Sequence, residues 1–155
     1  MPVASGGLRL NALLLLAVLG TAVAVYLTFV ALDPNVEPFC SGVGDCHTVQ
    51  SSEYAKVGPI PVAVLGLGMY LGLFGLIGAR RFLALGRDPR FALLTFALAL
   101  SGALYSGYLT YLELFVIDAI CVWCVISATI VTAMFVCSIP DLGRARAELR
   151  ERASE

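Results

Sequence analysis

The chain has 155 residues, 59% of them hydrophobic and 14% charged, with a formal net charge of −1 and a mean hydropathy of +0.90. Soluble domains average roughly 45–50% apolar and about 25% charged residues. The composition therefore excludes an ordinary water-soluble domain and points to a lipid bilayer; no nucleic-acid partner is expected.

Four apolar stretches follow in chain order: Leu10–Leu32, Ile60–Ile77, Phe91–Leu112 and Ile120–Ile139. None contains Asp, Glu, Lys or Arg. About 20 such residues span a bilayer as a helix. In lipid every backbone polar group must be satisfied within the segment or in a closed barrel, and runs without alternation are helices. The expected fold is an all-α membrane protein, a bundle of four transmembrane helices. The first run is preceded by Arg9 and contains Ala22-Val23-Ala24, which looks like a secretory cleavage site. Signal h-regions are only about 7–15 residues long, whereas this run continues past Ala24 to Leu32. It reads as an uncleaved helix.

Orientation follows the Lys/Arg bias. Four spans put both termini on one side, together with Arg9, Arg80, Arg81, Arg87, Arg90, Arg144, Arg146, Arg150 and Arg152. Only Lys56 falls on the other side. Both termini are expected to be cytoplasmic, with the 33–59 loop and the 113–119 turn facing outward. Residues 1–140 then form a transmembrane catalytic domain that includes the 33–59 loop, and 141–155 a charged cytoplasmic tail, read as a solvated or surface-lying helix. The 33–59 loop is long for a compact unit, and such loops are functional or disordered. Gly42 and Gly44 free its backbone around Cys40. A short surface helix is expected within 45–55, stopped by Pro59 and Pro61.

Four of the five cysteines fall on the outer, oxidising side, where disulfides persist: Cys40 and Cys46 in the loop, Cys121 and Cys124 at the start of the fourth helix. Cys137 lies about 20 Å further down that helix at 1.5 Å per residue, out of reach of the others, and reads as a small buried hydrophobe. Cys-Val-Trp-Cys lacks the following His that haem attachment requires. Zinc takes four thiolate or imidazole ligands, which Cys40, Cys46, His47, Cys121 and Cys124 just supply, although the loop pair is wider than the usual zinc spacing. A thiolate-based metal-binding or metal-transport protein is the alternative reading; charged groups along a membrane path would mark it, and the four spans lack them. A structural disulfide suits Cys40 and Cys46 but explains Cys121 and Cys124 poorly, because so short a loop gains little from a bridge. A Cys-x-x-C at a helix N-terminus is instead a redox arrangement, since the helix dipole favours the reactive thiolate. His47 is read as solvent-exposed, with thiolate support for Cys46 as its functional alternative.

Two dithiol pairs on one membrane face suggest a relay by thiol–disulfide exchange. The loop pair is placed to meet a soluble protein. The Cys-x-x-C is placed to meet a lipid-soluble electron acceptor, for which a quinone is the natural candidate.

The stretches CSGVGDCHTVQSSEYAKVGPIPVAVLGLGMY and YLELFVIDAICVWCVISA resemble the vitamin K epoxide reductase family, in particular its stand-alone bacterial homologues. The separated loop pair, the Ser-Ser after it, the G-x-I-P-V opening of the second span and the late Cys-x-x-C match in order over about residues 10–137. The bacterial quinone-coupled disulfide oxidases usually carry their Cys-x-x-C first and the wider pair later, the reverse order.

The resemblance implies a quinone-dependent thiol-disulfide oxidoreductase of the bacterial inner or cytoplasmic membrane, multi-pass, with its active site on the extracytoplasmic side. Electrons would run from a separate thioredoxin-fold extracytoplasmic partner to menaquinone or ubiquinone, with no metal, in support of disulfide formation. It implies that Cys40, Cys46, Cys121 and Cys124 are catalytic. Cys124 would face the quinone, Cys121 accept the loop cysteine, Cys40 relay to Cys121, and Cys46 contact the partner. Ser52 matches an active-site Ser/Thr, with a turn or cap role as the alternative. Ala128 is expected beside the quinone with Cys124, at the position where animal members carry a Tyr, and Gly58-Pro59-Ile60-Pro61 offers no counterpart to their Asn, so epoxide reduction is not expected.

The charge bias gives a direct test. A membrane-impermeant thiol reagent, added to whole cells after mild reduction, is expected to label this cysteine set. Labelling that requires opened cells would reverse the orientation.

Overall fold

A computed structural model describes residues 3–33, 35–40 and 44–154; Gly42 lies outside the described residues. Four helices are long and apolar enough to cross a membrane. They are α1 (Val3–Leu32), α3 (Val62–Phe82), α4 (Pro89–Phe115) and α5 (Val122–Ala153), with the short α2 (Cys46–Ser51) in the loop after α1. Each long helix packs on two neighbours, in the ring order α1, α3, α4, α5 and back to α1. Large apolar side chains such as Leu15, Phe29, Leu71 and Leu104 point outward and are exposed. That is the expected surface of a bundle whose solvent is lipid.

The core holds Leu13, Ala17, Ala24, Tyr70, Leu73, Ile77, Ala99, Val131 and Met134, with Cys137 partly buried against it, in line with its reading as a packed hydrophobe. Small residues let the helices approach closely, as in other membrane bundles. At Gly20 of α1 the Tyr70 ring of α3 lies directly on the backbone, in the space a Cβ would need. The Tyr70 hydroxyl then donates to the Ser127 carbonyl of α5 at 2.8 Å, so one side chain joins three helices.

The helix ends differ from the sequence expectation for identifiable reasons. Helix α4 starts at Pro89, where Asp88 caps it by accepting the Arg90 N–H at 2.9 Å; proline suits the first turn because its missing N–H has no partner there anyway. Helix α4 also runs on to Phe115, which brings Glu113 into the helix. The turn to α5 is made by Asp118 at φ 53, a left-handed conformation that Asp tolerates better than most residues. Helix α5 does not stop at Ile139. It passes through Pro140 and continues to Ala153, because Asp141 and Ala145 are buried against the bundle. The Asp141 carboxylate accepts Arg80 Nη2 of α3 at 2.6 Å and Arg9 Nη1 of α1 at 3.3 Å. Beyond Ala145 most of the charged helix end is exposed.

The described part of the 33–59 loop carries more secondary structure than its composition implies. After α2 come a 3-10 turn, Glu53–Ala55, and a two-residue-per-strand hairpin that the sequence reading lacks: β1 (Lys56–Val57) pairs antiparallel with β2 (Ile60–Pro61). Gly58 sits at φ 62, the backbone that the first position of a tight hairpin turn requires. Pro61 then caps α3.

Replacing Gly20 with Ala pushes a methyl into a fixed aromatic ring. Overpacking of this kind costs about 1–3 kcal/mol, and thermal unfolding in detergent micelles is expected to shift downward accordingly.

Candidate functional site: two cysteine pairs and an apolar cavity

Cys40 and Cys46 are joined as a disulfide, and Cys121 and Cys124 are free thiols. Three backbone features set the two pairs side by side. The Asp45 N–H donates to the Ile120 carbonyl at 3.0 Å. Gly44, at φ 89, lies so close to the same carbonyl that a Cβ there would collide with it. Trp123, inside the Cys-x-x-C, donates its indole N–H to the Phe39 carbonyl at 2.8 Å. The Phe39 N–H in turn donates to the Tyr26 hydroxyl at 2.9 Å, and the Tyr26 and Trp123 rings pack with centroids 4.7 Å apart. The residue before Cys40 is thus held by both its backbone groups. Gly44 has a different use from the looseness expected of it: it permits close approach.

This docking buries Cys46, Val49 and Cys121 in one cluster, with Cys40, Trp123 and Cys124 partly buried against it. Cys46 is 1% exposed and Cys121 fully buried. Helix α2, whose first residue is Cys46, is capped by Asp45, which accepts the Thr48 N–H at 3.0 Å and the Thr48 hydroxyl at 2.6 Å. The Thr48 hydroxyl and N–H together hold the Asp45 carboxyl below its usual range, so the cap persists at neutral pH and weakens only as acid protonates Asp45. His47 projects into solvent.

Cys121 is the N-cap of α5, and Cys124 lies in its first turn. The Cys121 N–H donates to Glu113 Oε2 at 3.1 Å.

On the other side of Cys124 lies a cavity of about 370 Å³, lined by all four long helices and by the loop. Binding pockets fall in about the 300–1,000 Å³ range and are mostly apolar with a few placed polar groups. Its walls are apolar, including Leu27, Met69, Leu98 and Leu109, and Ser52, Tyr54, Glu113 and Cys124 are among its polar groups. From Leu98 to Glu113 it follows α4 for about 22 Å at 1.5 Å per residue. Ser52 serves both of its expected readings: it lines the cavity, and its hydroxyl donates to the Val49 carbonyl at 2.7 Å where α2 ends. Ala128 does not line the cavity; Ser127 does, because the helix turns its i+3 position from Cys124 toward α3 and α4. Among the described residues no group of three His, Cys, Asp or Glu is placed to hold a metal.

Sequence reasoning brought the four cysteines together, and the structure places both pairs in one cluster. It missed Glu113, which it assigned to an outer turn, and the Tyr26–Trp123 clasp. Glu113 left a readable signal, a lone acid at the end of an apolar span; the clasp left none.

A four-span membrane bundle with a loop disulfide against a Cys-x-x-C at a helix start is the architecture of a membrane thiol oxidoreductase. The vitamin K epoxide reductase family model matches residues 11–139, most of the chain, and the protein belongs to that family.

Docking through Gly44 gives a measurable expectation. Gly44→Ala places a side chain at a positive φ and against a carbonyl, which costs about 1–3 kcal/mol at such a position. Amide hydrogen exchange is expected to accelerate across residues 44–57 while the α3 and α4 amides keep wild-type protection.

Proposed function

We propose that the protein carries electrons from a reduced thioredoxin-fold extracytoplasmic partner through the loop pair and the Cys-x-x-C to a membrane quinone, and so supports disulfide formation. One observation carries the reading. The reduced Cys121/Cys124 pair stands between an oxidised loop disulfide on one side and a deep apolar cavity on the other. Cys121 packs on Cys46, and Cys124 lines the cavity.

The cavity suits a quinone ring and the start of its isoprenoid tail. Its volume, its length along α4 and its few polar groups fit a flat, largely apolar molecule with two carbonyls. When bound, menaquinone or ubiquinone supplies a two-electron, two-proton sink. The residues that would hold it are Cys124, Ser52, Tyr54 and Ser127, with the apolar wall of α3 and α4 excluding water.

Burial supports a reading of the loop pair opposite to the family expectation. Cys46 is shielded and adjoins Cys121, whereas Cys40 is half-buried at the edge of the cluster. A soluble partner's thiolate attacks the accessible sulfur, Cys40, and frees Cys46. With Cys121 and Cys124 first oxidised to their own disulfide, Cys46 then attacks Cys121 and Cys124 leaves. A second partner thiol releases Cys40, which closes on Cys46 and returns Cys121 as a thiolate. Each exchange conserves electrons and only relocates one disulfide.

The Lys/Arg bias supports cytoplasmic termini in a bacterial cytoplasmic membrane, with the cysteines outside. Residues 1–140 form the catalytic unit in this reading. Residues 141–155 are its cytoplasmic extension, rooted at Asp141 between Arg9 and Arg80.

Two double variants test the order of transfer. Cys40→Ser/Cys124→Ser leaves Cys46 and Cys121 without other partners and is expected to accumulate a Cys46–Cys121 disulfide on oxidation, seen by non-reducing peptide mapping. Cys46→Ser/Cys124→Ser is expected to cross-link less completely. The opposite ranking would assign the relay to Cys40, and free thiols in both would remove the relay. Purified protein with a reduced thioredoxin-fold protein and added quinone is expected to bleach the quinone absorbance, and Cys124→Ser to abolish this.

A further inference from the structure

Glu113 is 4% exposed, and among the described residues no cation pairs with it. Its carboxyl accepts the Cys121 N–H and lines the same cavity as the Cys124 thiol, so it adjoins both halves of the reacting pair. It is also the one acidic or basic side chain among the described residues lining the cavity. The titratable groups around it are Cys121 and Cys124 from the α5 start, Tyr54 from the loop, and Tyr105 about two turns earlier on α4; α1 and α3 present only uncharged side chains there. As a structural device this is expensive, because a buried unpaired charge costs several kcal/mol and a neutral amide would accept the same backbone N–H.

We propose that Glu113 is the proton carrier of the Cys121/Cys124 pair, taking the Cys124 thiol proton as that disulfide closes and supplying Cys124 with a proton when exchange opens the bond. The proposal rests on the relay above. In the exchange direction the Cys46 thiolate attacks Cys121 Sγ. A Cys46–Cys121 bond forms, the Cys121–Cys124 bond breaks, and its electron pair leaves on Cys124 Sγ. The protonated Glu113 carboxyl gives that sulfur its proton. In the oxidative direction Cys121 and Cys124 lose two electrons in forming their bond. The Cys124 proton passes to the Glu113 carboxylate, which faces the cavity, and the Cys121 proton is lost separately. A bound quinone takes up these two electrons and two protons in becoming a quinol, which leaves Glu113 as the carboxylate until a proton released by the partner's thiols recharges it for the next exchange. Glu113 is unchanged over the cycle.

The test compares wild type, Glu113→Gln and Glu113→Asp in the full chain, reconstituted in lipid nanodiscs, with two readouts across pH 6–10. One is quinone reduction driven by dithiothreitol. The other is alkylation of the reduced protein by N-ethylmaleimide, without quinone, resolved at Cys121 and Cys124 by peptide mass. Glu113→Gln keeps an oxygen for the Cys121 N–H but carries no proton. Positioned acid–base groups contribute about 10²–10⁴-fold, so we expect Glu113→Gln to lose on the order of 100-fold in quinone reduction near pH 7, with the deficit closing as pH rises and hydroxide substitutes. Cys124 alkylation should fall in parallel while Cys121 alkylation holds. Glu113→Asp should recover part of the rate with the wild-type pH profile. Glu113→Gln matching wild type at every pH would overturn the proposal and leave a positioning role. Should the Gln variant not fold, a Glu113→Asp profile that departs in shape from wild type overturns it equally. If wild type reduces no quinone yet Cys124 alkylation still depends on Glu113, the relay fails and the proton role stands.

Discussion

The hydrogen bond from the Asp45 N–H to the Ile120 carbonyl fixes the chemistry of the whole molecule. It joins the residue before Cys46 to the residue before Cys121. Everything else at the outer rim is arranged to permit it. Gly44 has no side chain where one would strike that carbonyl, and Asp118 takes a left-handed turn so that the chain can enter α5 facing the loop. The clasp of Tyr26 and Trp123 on Phe39 does the same for the other loop cysteine. Exchange between disulfides needs sulfur near sulfur, and a loop without such anchors would spend most of its time elsewhere, since closing it costs conformational entropy.

The bundle underneath supplies a rigid frame for that rim. Tyr70 links α1, α3 and α5 through one ring and one hydroxyl. At the other end Asp141 draws Arg9 and Arg80 together. Such pairs add little net stability once desolvation is counted, but they set the register of three helices. With both ends tied, the space left between α3 and α4 beside Cys124 stays open as a cavity rather than closing by repacking. Interiors otherwise leave few voids larger than a water molecule.

The membrane spans were legible because lipid imposes a simple rule, some 20 apolar residues without charge, and all four appear close to where that rule puts them. The four cysteines were legible because topology alone brings both pairs to one face. Helix ends were not, because caps and tertiary contacts set them: Asp88 begins α4 before its apolar run, and Asp141 draws α5 past Pro140. The different burial of the two loop cysteines was not legible either. Burial of Cys46 depends on a backbone contact 75 positions away in sequence, at Ile120, and no local pattern encodes it. Gly44 shows the same limit. Its type announced a special backbone, and only the fold shows that the requirement is contact rather than freedom.

Cys121 and Cys124 divide one motif between two environments. Cys121 precedes the helix, in a cluster closed by the loop. Cys124 is one turn in, on the cavity wall. A spacing of three keeps the sulfurs within bridging distance while turning one toward protein and the other toward lipid-soluble ligands. A spacing of two or five would swing the second sulfur toward the far side of the helix, since each residue advances about 100°. Glu113 reaches both environments, accepting the backbone N–H of the first cysteine and lining the cavity beside the second. In the relay proposed above, electrons and proton pass at the same thiol, because Glu113 and Cys124 share one cavity wall at the outer rim.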